Sequence, residues 1–346
     1  MKNTRKEASL LLAAIILLTS CGKTEKSEET YANTTWHMDT FYSYTLYGPD
    51  GEETFKMLEE VVSRGEEVFD CYSSASELYS VNTSSSEEKI EVSSDLYEVL
   101  TASITGFYET DGCFDPTIGT VSVLWGFSTD HPSVPEEEEL QSALSHVDAS
   151  KLKLTEKGGK WYLTRKPGQI IDLGGIAKGY VLAQMKEVLK NSSVNSAVLS
   201  AGGNVLLYGN RKFSVGIRRP SKDAIDPICV FLLEDCVVST TGSYERYFVE
   251  DGVTYCHILD PKTGKCVSGE MVSLSVIADD PTEADLLSTA YFVKGLEATK
   301  EAIIRGEIEA VILTKDQQIL CSSFLAETLK EGSIAEGWTL EVLDGE

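Results

Sequence analysis

Asp285 and Thr289 stand four residues apart in Ala284-Asp-Leu-Leu-Ser-Thr-Ala290, a segment whose apolar residues Leu286, Leu287, Ala290 and Val293 recur at helical spacing. On a helix, positions i and i+4 lie one above the other, so a carboxylate and a hydroxyl can reach one point. Oxygen donors of that kind suit a hard cation such as Mg2+, which keeps phosphate oxygens and water as its other ligands. A second use competes. Thr282-Glu-Ala-Asp285 also reads as a capping box in which Asp285 only satisfies the helix N-terminus, and spacing alone favours the cap.

Ile170-Ile-Asp-Leu-Gly-Gly-Ile-Ala-Lys-Gly-Tyr180 reads as a strand turning through a glycine pair into a helix. Glycines admit close backbone approach, a helix start offers N–H donors, and Lys178 adds positive charge, all suited to a pyrophosphate. A tight turn with a solvated Lys178 satisfies the same pattern. Ser200-Ala-Gly-Gly-Asn204 carries the same two readings. His257 precedes the turn signals of Ile258-Leu-Asp-Pro-Lys-Thr-Gly264. It either takes a proton from an attacking hydroxyl or serves as a structural hydrogen-bonding residue. In Gly112-Cys-Phe-Asp-Pro-Thr-Ile-Gly119, Phe114 either stacks on a ring system or joins the core.

These segments need a scaffold. Alternation predicts strands at 41–46, 169–172, 197–200, 213–217, 230–233, 272–278 and 310–314. Helical spacing predicts helices at 55–69, 94–108, 175–190, 282–294 and 297–304. The polar stretch 132–139 reads as a surface loop. The longer helices are not regularly interleaved with strands, which favours an α+β fold with mixed, largely antiparallel sheets over a doubly wound one.

The chain has 346 residues, 42% of them hydrophobic, enough for a sizeable core and against disorder. A formal charge of −25 excludes a nucleic-acid binder, since phosphate neutralisation needs a basic face. Lys2, Arg5 and Lys6 precede an apolar run from Leu10 to Leu18 and then Thr19-Ser-Cys21. That is a secretory signal over 1–20 with a cysteine where bacterial lipoproteins are acylated, so Cys21 is expected to carry lipid, including palmitate, and to anchor the protein outside the cytoplasm. A flexible tether is expected over 21–35 and a folded domain over 36–346. The cysteines after Cys21 are odd in number and lack CxxC spacing, which argues against a disulfide framework or a zinc site.

Taken together, MDTFYSYTLYG (38–48), SELYSVN (76–82), GCFDPTIGTVSVLWGF (112–127), DLGGIAKGY (172–180), LSAGGNVLLYG (199–209), TGSYERYF (241–248), HILDPKTG (257–264) and ADLLSTAYFVKG (284–295) resemble, in order and spacing, the ApbE family of bacterial lipoproteins. The resemblance implies a T-fold-related α+β domain that splits FAD at its pyrophosphate. FMN passes to a threonine or serine hydroxyl of an acceptor protein, an exported subunit of a membrane redox complex, and AMP leaves. It implies Mg2+ held by the Ala177 carbonyl, Asp285 and Thr289, and a base at His257. It further implies flavin contacts from Met38, Tyr72, Cys113, Phe114, Asp115, Tyr180 and Leu259, several through the backbone, beside Lys178 at the phosphates. Two alternatives stay open: hydrolysis of FAD to FMN and AMP, and a non-catalytic FAD-binding lipoprotein. Ala75 and Ser243 stand where the family pattern has acids, which bears on the outer contacts more than on the metal.

Overall fold

The structure, a computed structural model, describes residues 28–344 apart from 86–88, 222, 223 and 225. The expected signal peptide and Cys21 lie outside the described residues. Strands Thr30–His37, Thr40–Tyr47, Ser196–Ala201, Asn204–Tyr208, Val237–Gly242, Met271–Ala278, Glu309–Thr314, Gln318–Ser322 and Thr339–Leu343 form one sheet, neighbours in that order. Its pairings are antiparallel except the last, between Gln318–Ser322 and Thr339–Leu343, which is parallel. The α+β expectation with largely antiparallel pairing holds.

Successive residues of a strand point to opposite faces, and this sheet is covered on both. Leu199, Leu206, Val237, Val276 and Ile312 pack with the helices Gly51–Phe69, Ser94–Glu109, Ala177–Lys190 and Pro281–Lys294 in the larger core. Their chain neighbours Val198, Leu207, Val238, Ile277 and Val311 face the other way, against Phe213, Phe231 and Trp338. Burial on both faces explains why these strands read as nearly unbroken apolar runs. A third, small core of Trp125, Leu140 and Leu259 lies with Phe248 and Tyr255 of the ribbon Tyr247–Glu250/Val253–Cys256.

Three expectations need correction. Residues 30–35 are not tether: Thr30–His37 pairs in full register with Thr40–Tyr47, because Tyr31 and Thr35 find partners on the first helix and the neighbouring strand. Residues 169–172 make only a single bridge, Ile118 to Ile170, since the Asp172 N–H goes to the Pro116 carbonyl and the Ile171 N–H to the Asn82 side chain. The acidic loop 132–139 ends early, in a helix Glu137–Leu144 whose first turn places Glu137, Glu138 and Glu139 at the positive end of the helix dipole.

Candidate active site

The N-terminus of helix Pro281–Lys294 is capped by Asp280, not Asp285. Asp280 has extended backbone and accepts from the N–H groups of Thr282 at 2.7 Å and Glu283 at 3.3 Å, and Pro281 occupies the first turn. The capping-box reading therefore falls, and Asp285 lies one turn further in. Only 5% exposed, its Oδ2 accepts from Gly179 N–H at 2.8 Å and its Oδ1 lies 3.4 Å from Ser239 Oγ. Thr289 follows one turn later on the same face, beside Gly175 and Phe114. A Cβ on Gly175 would come within 3.1 Å of Thr289 Oγ1 and 3.2 Å of the Phe114 ring.

Gly179 allows this helix to cross helix Ala177–Lys190. A methyl there would sit 2.3 Å from the Pro281 carbonyl oxygen and 2.6 Å from Asp285 Cβ, which no relaxation of a flexible side chain relieves. Gly179→Ala is expected to destabilise the fold by about 1–3 kcal/mol through overpacking, read as a lower urea midpoint. An unchanged midpoint would mean that the helices do not cross here.

The glycine-rich turn is held from within. Asp172 Oδ1 accepts from Gly174 N–H at 2.9 Å, the Ala177 N–H donates to the Leu173 carbonyl at 2.9 Å, and the helix has no side-chain cap. Gly179 gives its N–H to Asp285. Two of the first-turn donors expected for a pyrophosphate are thus committed inside the protein. Lys178 is fixed by its own helix start, Nζ donating to the Gly174 carbonyl at 3.1 Å.

Phe114 is buried against Gly175, and Cys113 Sγ lies 3.6 Å from Lys262 Nζ. The Asp115 carboxylate accepts from Thr117 N–H at 2.7 Å, Thr117 Oγ1 at 2.6 Å and Ala149 N–H at 3.1 Å. It shapes this loop, so an Asp115 contact to flavin would run through its backbone. Tyr180 likewise spends its hydroxyl on Glu98 at 2.8 Å with its ring edge-on to Phe69, and Leu259 packs into the Trp125 core. The phenol of Tyr72, which is 48% exposed, stands near Asp172; burial of the hydroxyl and that carboxylate hold its pKa up.

Met38 and Asp39 form the two-residue turn between paired His37 and Thr40, both at positive φ (48° and 58°). Such turns favour asparagine and glycine, so the strain needs an anchor. The Met38 N–H donates to Glu66 Oε1 at 3.2 Å, Glu66 Oε2 lies 3.0 Å from His37 Nδ1, and Tyr42 O–H points at Met38 Sδ, 3.2 Å away.

His257 lies at the open end of the Tyr247–Glu250/Val253–Cys256 ribbon, opposite Arg246. Its backbone N–H donates to the Arg246 carbonyl at 3.0 Å, and its Nδ1 lies 3.2 Å from the same oxygen. A carbonyl only accepts, so the ring proton sits on Nδ1 and the lone pair on Nε2. Burial, with the cations of Arg246 and Lys178 nearby, pushes this imidazole down to about 4. The turn behind it is pinned by Trp125 Nε1, which donates to the Gly264 carbonyl at 2.7 Å, and by Asp260, whose carboxylate accepts from Lys262 N–H and Thr263 Oγ1 at 2.9 Å each.

Asp285, Thr289, Ala177, Phe114 and Lys178 are thereby gathered around one glycine-rich turn, with His257 within electrostatic reach of Lys178. Among the described residues no three His, Cys, Asp or Glu side chains cluster as a metal site. One carboxylate with neutral oxygens is chemistry that suits a hard cation. Sequence reading passed over Ser239 and Ser288, buried hydroxyls against Asp285, and Arg246; the polar run Ser239-Thr-Thr241 inside an apolar strand was the available signal.

The fold as a whole is similar to that of flavin transferases of known structure. Flavin transferase ApbE from Vibrio cholerae superposes with a TM-score of 0.76 at 25% identity, over 87% of this chain and 100% of that one. The ApbE protein from Thermotoga maritima gives 0.80 at 30% identity, over 88% and 100%. The chain belongs to the ApbE family, whose model matches residues 38–312. A relative from Treponema pallidum, named FAD:protein FMN transferase, is 30% identical over 297 residues, 81% of each chain. Another of that name from Klebsiella pneumoniae is 29% identical over 279 residues, 80% of this chain and 87% of the relative.

Proposed function

We propose that this protein transfers FMN from FAD to a threonine or serine hydroxyl of an acceptor protein, with Mg2+, and releases AMP. The observation that carries this reading is Asp285: relieved of capping by Asp280, it is buried with one oxygen on Gly179 N–H and Thr289 one turn on. A buried carboxylate with no ion pair to a cationic side chain among the described residues suits a metal ion. Asp285, Thr289 and the Ala177 carbonyl would hold Mg2+, which supplies offsetting charge for the pyrophosphate of a substrate entering a protein of charge −25.

The chain's own groups do the remainder. Phe114 packs against Gly175 of the glycine-rich segment, and Lys178 brings positive charge to the phosphates. His257 Nε2 takes the proton of the acceptor hydroxyl as its oxygen bonds to the phosphorus of the FMN half; the bridging P–O bond breaks and AMP carries away the electron pair. Family membership and the names of the relatives support the flavin transfer. The lipobox reading supports acylation at Cys21 and action on exported subunits of membrane redox complexes.

Incubating the protein with FAD, Mg2+ and an acceptor fragment tests the reading. Flavin fluorescence remaining on the denatured acceptor, with one AMP released per flavin attached, is the expected result. Free FMN alone would make the protein a hydrolase, and unchanged FAD a carrier.

A further inference from the structure

Behind Asp285, on the side away from Gly179, lies a closed group of polar side chains that the proposed chemistry does not use. Ser239 Oγ is within 2.6 Å of Asn204 Oδ1, 3.4 Å of Asp285 Oδ1 and 3.3 Å of Ser288 Oγ. Ser288 donates to the Asp285 carbonyl at 2.9 Å, and Thr241 Oγ1 lies 2.8 Å from Ser288 Oγ. Asn204, Ser239 and Ser288 are at most 2% exposed, and Asn204 Nδ2 is buried with no partner among the described residues.

Proton accounting decides the arrangement. Ser239 has one proton, and the strongest acceptor within its reach is the carboxylate. With its amide oxygen toward Ser239, Asn204 would draw that proton away from Asp285. Turned by half a revolution, an orientation that the two atoms' near-equal size permits, the amide donates to Ser239 and the serine donates to Asp285 Oδ1. The chain Asn204 to Ser239 to Asp285 then polarises in one direction and ends on the charge.

We propose that Asn204 and Ser239 are positioning residues that aim Asp285 at the metal: Gly179 N–H fixes one carboxylate oxygen, the Ser239 hydroxyl fixes the other, and Asn204 fixes the Ser239 rotor. This rests on the Mg2+ reading of Asp285. A carboxylate held at both oxygens presents one direction of lone pair, which matters most for Mg2+, whose octahedral geometry is strict, and less for Ca2+, whose geometry is loose.

The test is calorimetric titration of the full chain with Mg2+ and, separately, Ca2+, in wild type, Ser239→Ala, Ser239→Thr, Asn204→Ala and the Ser239→Ala/Asn204→Ala double variant. Ser239→Ala is expected to weaken Mg2+ binding about 10–100-fold, the range for lost outer partners of a metal ligand, with a smaller loss for Ca2+. Asn204→Ala should act in the same direction, the double variant should lose little more than Ser239→Ala because both act through one bond, and Ser239→Thr should restore binding. Mg2+ affinity within about twofold of wild type in Ser239→Ala, or equal losses for both ions, would overturn the positioning role. Should the alanine variants fail to fold, Ser239→Cys keeps the volume with a weak donor and must still lose Mg2+ preferentially. A wild-type protein with no saturable Mg2+ binding would instead remove the metal reading on which the role depends.

Discussion

Asp285→Ala is expected to lower kcat/KM for FMN transfer by about 10³-fold or more, corresponding to several kcal/mol of lost charge stabilisation at the phosphates, and raising Mg2+ should recover only a small part. Two effects separate in the design. Alanine also orphans the buried Gly179 N–H, a structural cost of about 1–3 kcal/mol. Asp285→Asn keeps an oxygen for that N–H and removes only the charge. The asparagine variant should therefore melt near the wild type while remaining as inactive as the alanine variant, with Mg2+ dependence of the residual rate abolished. An asparagine variant with normal transfer at low Mg2+ would sink the assignment. Thr289→Val, which removes one neutral donor at the same place, should cost less than the loss of the charge, since Mg2+ readily replaces a hydroxyl by water.

Asp285 also shows where sequence patterns stop. Thr282-Glu-Ala-Asp285 has the spacing of a capping box, and nothing in the spacing identifies the cap as the earlier Asp280-Pro pair; only the extended backbone at Asp280 and its two hydrogen bonds do. Strands buried on both faces were legible because their runs are nearly all apolar, interrupted only by small buried serines, as in 197–200 and 272–278. Thr30–His37 was not: its side chains are mostly exposed, and its order comes from a neighbour's backbone rather than from its own periodicity. Residues 169–172 misled for the opposite reason, since an apolar run was buried there without a ladder, its amides answered by Pro116 and Asn82. The ordered blocks from Met38 to Gly295 single out the candidate site residues, but which of them keep a side chain free for a ligand is set by hydrogen bonds between distant segments. Asp115 and Tyr180 spend theirs on Thr117, Ala149 and Glu98. The polar run Ser239-Thr-Thr241 marks an unusual strand, but it does not say which hydroxyl is buried against Asp285, because the partners of Ser239 come from other elements.

His257→Ala is expected to slow transfer to the acceptor by about 10²–10⁴-fold, the range of a general base, with FAD binding followed by flavin fluorescence nearly unchanged. The pH profile distinguishes a base from a structural histidine. Held down to about 4 from an ordinary 6.5, the imidazole is neutral and able to accept a proton throughout the neutral range. The wild-type rate should therefore lack the usual histidine limb near neutrality and fall only as pH drops toward about 4. Stability follows the same sign: the unfolded chain takes up this proton first, so the contribution is complete above 6.5 and is lost as pH falls from there toward about 4. Arg246→Ala provides the sharper measurement. It removes a neighbouring cation while leaving the backbone carbonyl that sets the ring's tautomer, so the acidic limb should move upward toward 6.5. An acidic limb that persists in His257→Ala, or a His257→Ala variant that loses FAD affinity as much as rate, would mean that the ring holds the turn rather than the proton.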